Sequence, residues 1–189
     1  SISGPGHHFS DIVFTGNITV NDKAVSNVTN SIFSGATQNA INAKTDATVT
    51  LNNITVTRNK TGIKADTGSN IRINNSIITG NATTDLVSVP AAVIRYSLTG
   101  DPAYAGANGN ITADPMFMNP ANSDWHLKPE SPAVDAGDPT ADYSREPYSP
   151  TGRINMGAYG NTPEAATAHS GLGPASQHML IPWLPLLLE

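Results

Sequence analysis

The chain has 189 residues, no cysteine, a net charge of −5 and only 13% charged residues. That length suits one domain with a continuous core, or a domain plus an appendage, and the missing cysteines exclude a disulfide framework and a thiolate zinc site. Residues 1–100 carry seven Lys/Arg against five Asp, and residues 101–189 carry three Lys/Arg against ten Asp/Glu, an acidic second half that argues against nucleic acid as a partner.

Abundant Asn, Thr, Ser, Ala and Gly suit short strands joined by many turns. The opening, with no signal peptide and no initiator Met, reads as a processed or excised boundary. From there a repeat runs through residues 1–109. Five segments align, beginning at Asp11, Asn30, Asn53, Asn75 and Arg95, at intervals of 19, 23, 22 and 20 residues. A second set begins at Ala40, Gly62 and Asp85, and a third at Thr48, Asn70 and Ala92, each recurring after 22 or 23 residues. Three alternating segments per period describe a triangular coil. The fold class expected is therefore all-β: a right-handed single-stranded parallel β-helix with three strands per coil of about 22 residues and a loop-rich C-terminal cap.

Alternation assigns the interior columns. Phe14, Phe33, Val56, Ile78 and Leu98 form one, Val49, Ile71 and Val93 a second, and Ile41, Ile63 and Leu86 a third. Arg95 falls in line with Leu51 and Ile73 and marks a corner or the fading of the helix. Asn17, Asn59 and Asn81 share one turn column, and Asn30, Asn53 and Asn75 another. Asn tolerates left-handed geometry and its amide can bond along a stack. A leucine-rich repeat lacks support because its regular Leu positions and helices are missing.

After Gly100 the repeat stops, and residues 110–164 read as a cap. Asp114-Pro-Met-Phe117, the stretch from Asp124-Trp-His-Leu to Ser131-Pro-Ala-Val-Asp-Ala-Gly137, and Gly152-Arg-Ile-Asn-Met-Gly-Ala-Tyr159 follow in order. This order and spacing resemble a functionally mixed family of bacterial and archaeal surface-associated β-helix proteins, including the tails of some polysaccharide lyases. The resemblance implies an extracellular or cell-surface location. Phe117, Trp125, Leu127, Val134 and Tyr159 are expected to plug the open end of the core. Arg153 is expected to pair with Asp135 or Asp138. Asp135, Asp138, Asp142 and Asn155 are the alternative: a set of hard oxygen ligands for calcium, the one cofactor the sequence suggests.

Lyases on this fold combine carboxylate-bound calcium with a Lys or Arg base. Arg58, Lys60, Lys64 and Arg72 are the candidate bases and Asp46, Asp66 and Asp85 the outward acids, but they do not stack as a ligand cluster. No clustered Asp set for a hydrolase, His set with metal-ligand spacing, nucleophile elbow or phosphate loop is present. No catalytic residue is assigned. Seven sequons stand at Asn17, Asn27, Asn53, Asn59, Asn74, Asn81 and Asn110.

Residues 165–178 read as a linker and 179–189 as an apolar tail too short to span a bilayer. Leu180, Ile181, Trp183 and Leu184 are its candidate assembly or anchoring residues, through self-association or membrane contact. The function expected is a non-catalytic extracellular or cell-surface module, a stalk, adhesin or carbohydrate-contacting scaffold, with polysaccharide or other surface proteins as partners. The alternatives are the C-terminal part of a calcium-dependent polysaccharide lyase acting on uronate polymers, and a filament subunit assembling through the apolar tail.

Overall fold

A computed structural model describes residues 1–4, 6–147 and 151–168. The tail candidates Leu180, Ile181, Trp183 and Leu184 lie outside the described residues. The chain forms a parallel β-helix. Face one stacks His7–Ser10, the first part of Val25–Phe33, the first part of Thr48–Val56, then Asn70–Asn74 and Ile94–Arg95. Face two carries Val13–Phe14, the second parts of the two long strands, Ile77–Ile78 and Leu98–Thr99. Face three is a four-stranded sheet of Ile18–Val20, Asn39–Ala43, Thr61–Ala65 and Thr84–Val87.

Most corners are made by a left-handed residue. Asp11, Asn30, Asn53, Asn75 and Tyr96 (φ 44–57°) turn face one into face two. Gly35, Arg58 and Gly80 make the second corner, and Lys23, Asp46, Gly68 and Ser88 the third. Asn predominates at the first because its short polar side chain lowers the cost of positive φ. There the two long strands bend without breaking, so faces one and two share one eight-stranded sheet. Two of the three segments expected per coil are thus halves of one bent strand in these coils.

The interior columns follow the expected alternation over most of the stack. Ile18, Ile41, Ile63 and Leu86 run in register on face three, and Val28, Leu51, Ile73 and Ile94 on face one. Phe14 and Phe33 stack with centroids 4.5 Å apart on face two, continued by Val56 and Ile78.

The last coil departs from the expectation. Ile94 pairs with Ile73 and Leu98 with Ile77, each 21 residues on, so this coil is one residue short. A one-residue slip reverses every side chain. Arg95 therefore sits beside Asn74 and points outward, Leu98 leaves the Phe14 column to Thr99, and Val93 falls in a 3-10 turn, Ala91–Val93.

The cap aromatics do not plug the end of the core. That end is closed by residues 90–111, where Tyr104 packs on the core and donates to the Val89 carbonyl at 2.8 Å. Buried Asn110 accepts from Ser97 N–H and donates to the Ile94 carbonyl. Residues 114–147 and 151–160 instead lie sideways on the outside of face two. Its outward residues Ile77 and Leu98 meet Leu127, Val134 and Met156, and Ile32 meets Trp125 and Ala158. Outward apolar residues on these strands make a second core, separate from the interior of the coils. Phe117–Asn119 and Asp124–Leu127 form the cap's own antiparallel pair.

Polar contacts fix the same interface. Asn30 donates to the Ala158 and Gly160 carbonyls, Asn53 to those of Asn155 and Gly157, and the Asn75 side chain accepts from Asp138 N–H. The corner amides therefore reach across to the cap and do not bond along their own stack. The column of Asn59 and Asn81 does bond along the axis, at 2.9 Å. Gly157 (φ 92°) passes so close that a Cβ would lie 2.8 Å from Ile77 Cδ1.

Arg153 donates to the carbonyl oxygens of Ala136 and Gly137. Glu146 is buried and accepts from the N–H groups of Asn155 and Asn161. Burial pushes its carboxyl above the usual range, aided by the negative charge of Asp135. A raised folded pKa means that the folded state binds the proton more tightly, so stability falls as pH rises from the unfolded value through the folded one. Glu146→Gln is expected to melt like the parent near pH 4 and progressively above it toward pH 8. A difference in melting temperature that stays flat or shrinks across that range would count against the buried carboxyl.

Candidate functional site, a polar face and groove

With face two covered by the cap, the outside of face one is an open surface. Its outward rows are His8, Asn27, Thr50 and Arg72, then Ser10, Thr29, Asn52, Asn74 and Arg95, in register. Asn74 donates to the Asn52 carbonyl oxygen at 3.0 Å, which aligns the two amides and leaves further donor and acceptor capacity. No Asp or Glu lies on any strand of this face.

Beside it, at the first corner, a groove of about 400 Å³ opens between the coils and the cap. Thr29, Asn52 and Asn74 line the coil side, and Asp138, Asp142 and Asn161 the cap side. Asp138 accepts from Thr140 N–H and Oγ1, and Asp142 from Ser144 N–H, which keeps the Asp142 carboxyl below its usual range. Such a groove offers amide donors on one wall and carboxylate acceptors on the other, the pairing that hydroxyl-rich ligands use.

The expected calcium ligands divide into two pairs. Asp138 and Asp142 line this groove, while Asp135 and Asn155 lie buried in the cap, with Asp135 N–H donating to Asn155 Oδ1. Asn155 is committed further, donating to Glu146 and to the Ala166 carbonyl. Among the described residues no three His, Asp or Glu side chains are grouped to hold a metal ion.

The candidate lyase residues are also dispersed. Arg58 donates to the Pro120 carbonyl at 2.6 Å and lies over the Trp125 ring. Lys64 and Lys44 each sit 3.2 Å from Asp66, and hydrogen bonds from both hold that carboxyl below its usual range. Asp85 belongs to the second corner, accepting from Asn81, and burial raises its pKa. Thr55, on face two, is 1% exposed and accepts from Ala158 N–H. Face one, by contrast, is a Thr/Asn surface that remains open.

A second depression, about 540 Å³, opens at the front of the cap beside Val13, Arg58 and Tyr159. Trp125 lines it but is only 3% exposed, so its ring offers no free face for stacking. Sequence reasoning also missed His126. Its Nδ1 lies 2.6 Å from Asp124, its Nε2 3.5 Å from Glu164, and its ring stacks on Tyr159. The spacing Asp124-x-His126 within one strand was the available signal. Among the sequon residues, Asn53, Asn59 and Asn110 are buried, whereas Asn17 and Asn27 are exposed. Comparison with protein-family models, with curated proteins and with solved structures returned no match.

Proposed function

We propose that this chain is a non-catalytic extracellular or cell-surface β-helix module that contacts carbohydrate through face one and the adjoining groove. The observation that carries the reading is an open, acid-free row of Thr and Asn continuous with a groove of amides and carboxylates. Sugar hydroxyls both donate and accept, and they match such a surface better than an apolar ligand would. The surface location follows from the resemblance of the three cap motifs to surface-associated β-helix proteins. The lyase alternative draws less support, because Arg58 and Lys64 are engaged with the cap and with Asp66, and no acid lies on the strands of face one beside Arg72 to hold a metal ion. Calcium is not part of this reading, since its candidate ligands form two separate pairs.

The test is affinity gel electrophoresis against a panel of neutral and acidic polysaccharides. At least one polymer is expected to retard the chain. Asn52→Ala combined with Asn74→Ala is expected to weaken that binding about tenfold, roughly 1.4 kcal/mol. Retardation by none of the polymers, or undiminished binding by the double variant, would remove face one as a glycan surface.

A further inference from the structure

We infer that the carbohydrate held by face one is anionic, and that Arg72 and Arg95 grip its carboxylate or sulfate groups. The inference rests on the reading of face one as a glycan surface and names the ligand's charge. The chain carries a net charge of −5, yet the strands of this face hold two arginines and no acid. Both arginines are exposed, and among the described residues neither guanidinium has a hydrogen bond or an ion pair. Of the other cations of the coils, Lys44 and Lys64 are spent on Asp66 and Arg58 on the Pro120 carbonyl and Trp125, while Lys23 and Lys60 lie off the strands of this face.

The register brings the two arginines together. Arg95 stands opposite Asn74, and Arg72 precedes Asn74 by two residues on the same side of the strand. They are diagonal neighbours, a relation that places side chains about 7–8 Å apart and within mutual reach when long. The short last coil is what turns Arg95 outward; a full 22-residue step would have buried it. The pair frames a small cavity of about 140 Å³, with the amides of Asn70 and Asn74 on its rim. Two forked guanidiniums beside amide donors suit a planar carboxylate or a sulfate, each able to accept several hydrogen bonds at once. Asn74 lines both this cavity and the larger groove. A polymer lying across them would set its charged group at the arginines and its hydroxyls against Asp138 and Asp142, which would repel an anion at that end.

The experiment is affinity electrophoresis of the whole chain in gels containing polygalacturonate, dextran sulfate or uncharged dextran, with a salt series and the neutral panel alongside. Retardation is expected in a charged gel, weakening as salt screens the contact, and polygalacturonate against dextran sulfate distinguishes carboxylate from sulfate. Arg72→Gln with Arg95→Gln is expected to lose at least tenfold, while Arg72→Lys with Arg95→Lys retains part of the binding. Lys60→Gln with Lys128→Gln makes the same change in net charge at exposed positions elsewhere and is expected to bind like the parent. Thermal melting checks that the variants fold. Equal loss in the Lys60 and Lys128 variant would reduce the effect to net charge and overturn the inference. Binding confined to neutral polymers and indifferent to the arginines would overturn it too, yet leave face one as a glycan surface. No retardation by any polymer would sink that surface reading as well.

Discussion

Asn59→Leu is expected to destabilise the protein by about 3–5 kcal/mol, enough to remove much of the stability of an ordinary domain. Asn59 is 2% exposed. Its amide donates to the Phe33 and Thr57 carbonyls and to Asn81, and its oxygen accepts from Ala36 N–H. Leucine has similar bulk but would strand these backbone groups in a dry corner, at about 1–3 kcal/mol each for those left unsatisfied. Asn17, placed in the same turn column by the repeat, is exposed, and Asn17→Leu is expected to stay within about 0.5 kcal/mol of the parent. Urea denaturation of the two variants checks the contrast. A loss below about 1 kcal/mol for Asn59→Leu would mean that the corner relaxes and that the ladder is dispensable.

Trp125→Ala is the second large effect, at about 3–5 kcal/mol. The indole is buried against Ile32 and Ala158, meets Phe117 edge to face at 5.2 Å, and receives Arg58 at 5.8 Å. Because the cap packs in clusters distinct from the coil interior, the damage is expected to be local. Hydrogen exchange should accelerate at the amides of Leu127 and Met156 while those of Val49 and Leu51 keep most of their protection. Equal loss in both regions would show that cap and coils open as one unit.

Much of the coil was readable because a period near 22 repeats two chemistries, apolar alternation inward and Asn at the first corner, with Gly recurring among mixed residues at the others. The final coil was misread for a physical reason. Ala92-Val-Ile-Arg95 alternates acceptably in either register, so only the pairing of Ile94 with Ile73 decides it. The sideways cap left a clearer trace. Ile32-Phe33 and Ile77-Ile78 are consecutive apolar residues on a strand, and a strand apolar on both sides is covered on both sides. The cap motifs supplied the right residues, Phe117, Trp125 and Leu127 among them, without the direction of their packing. The site was less legible still. Face one shows only common Thr and Asn, and the two arginines become neighbours through a register that no spacing rule displays.

The clasp between cap and coils also sets an order of events during synthesis. Each coil can stack as soon as its neighbour exists, since solenoid contacts are between adjacent repeats. The hydrogen bonds from Asn30 to Ala158 and Gly160, however, join residues 128 and 130 apart. Ile32 and Ile77 therefore wait uncovered until the last of these residues has left the ribosome. Contacts of such sequence separation form slowly, and the waiting apolar strip is the surface on which nascent chains would stick to one another. A chaperone that holds this strip, or a pause before residue 160, would act on the step that decides between docking and aggregation.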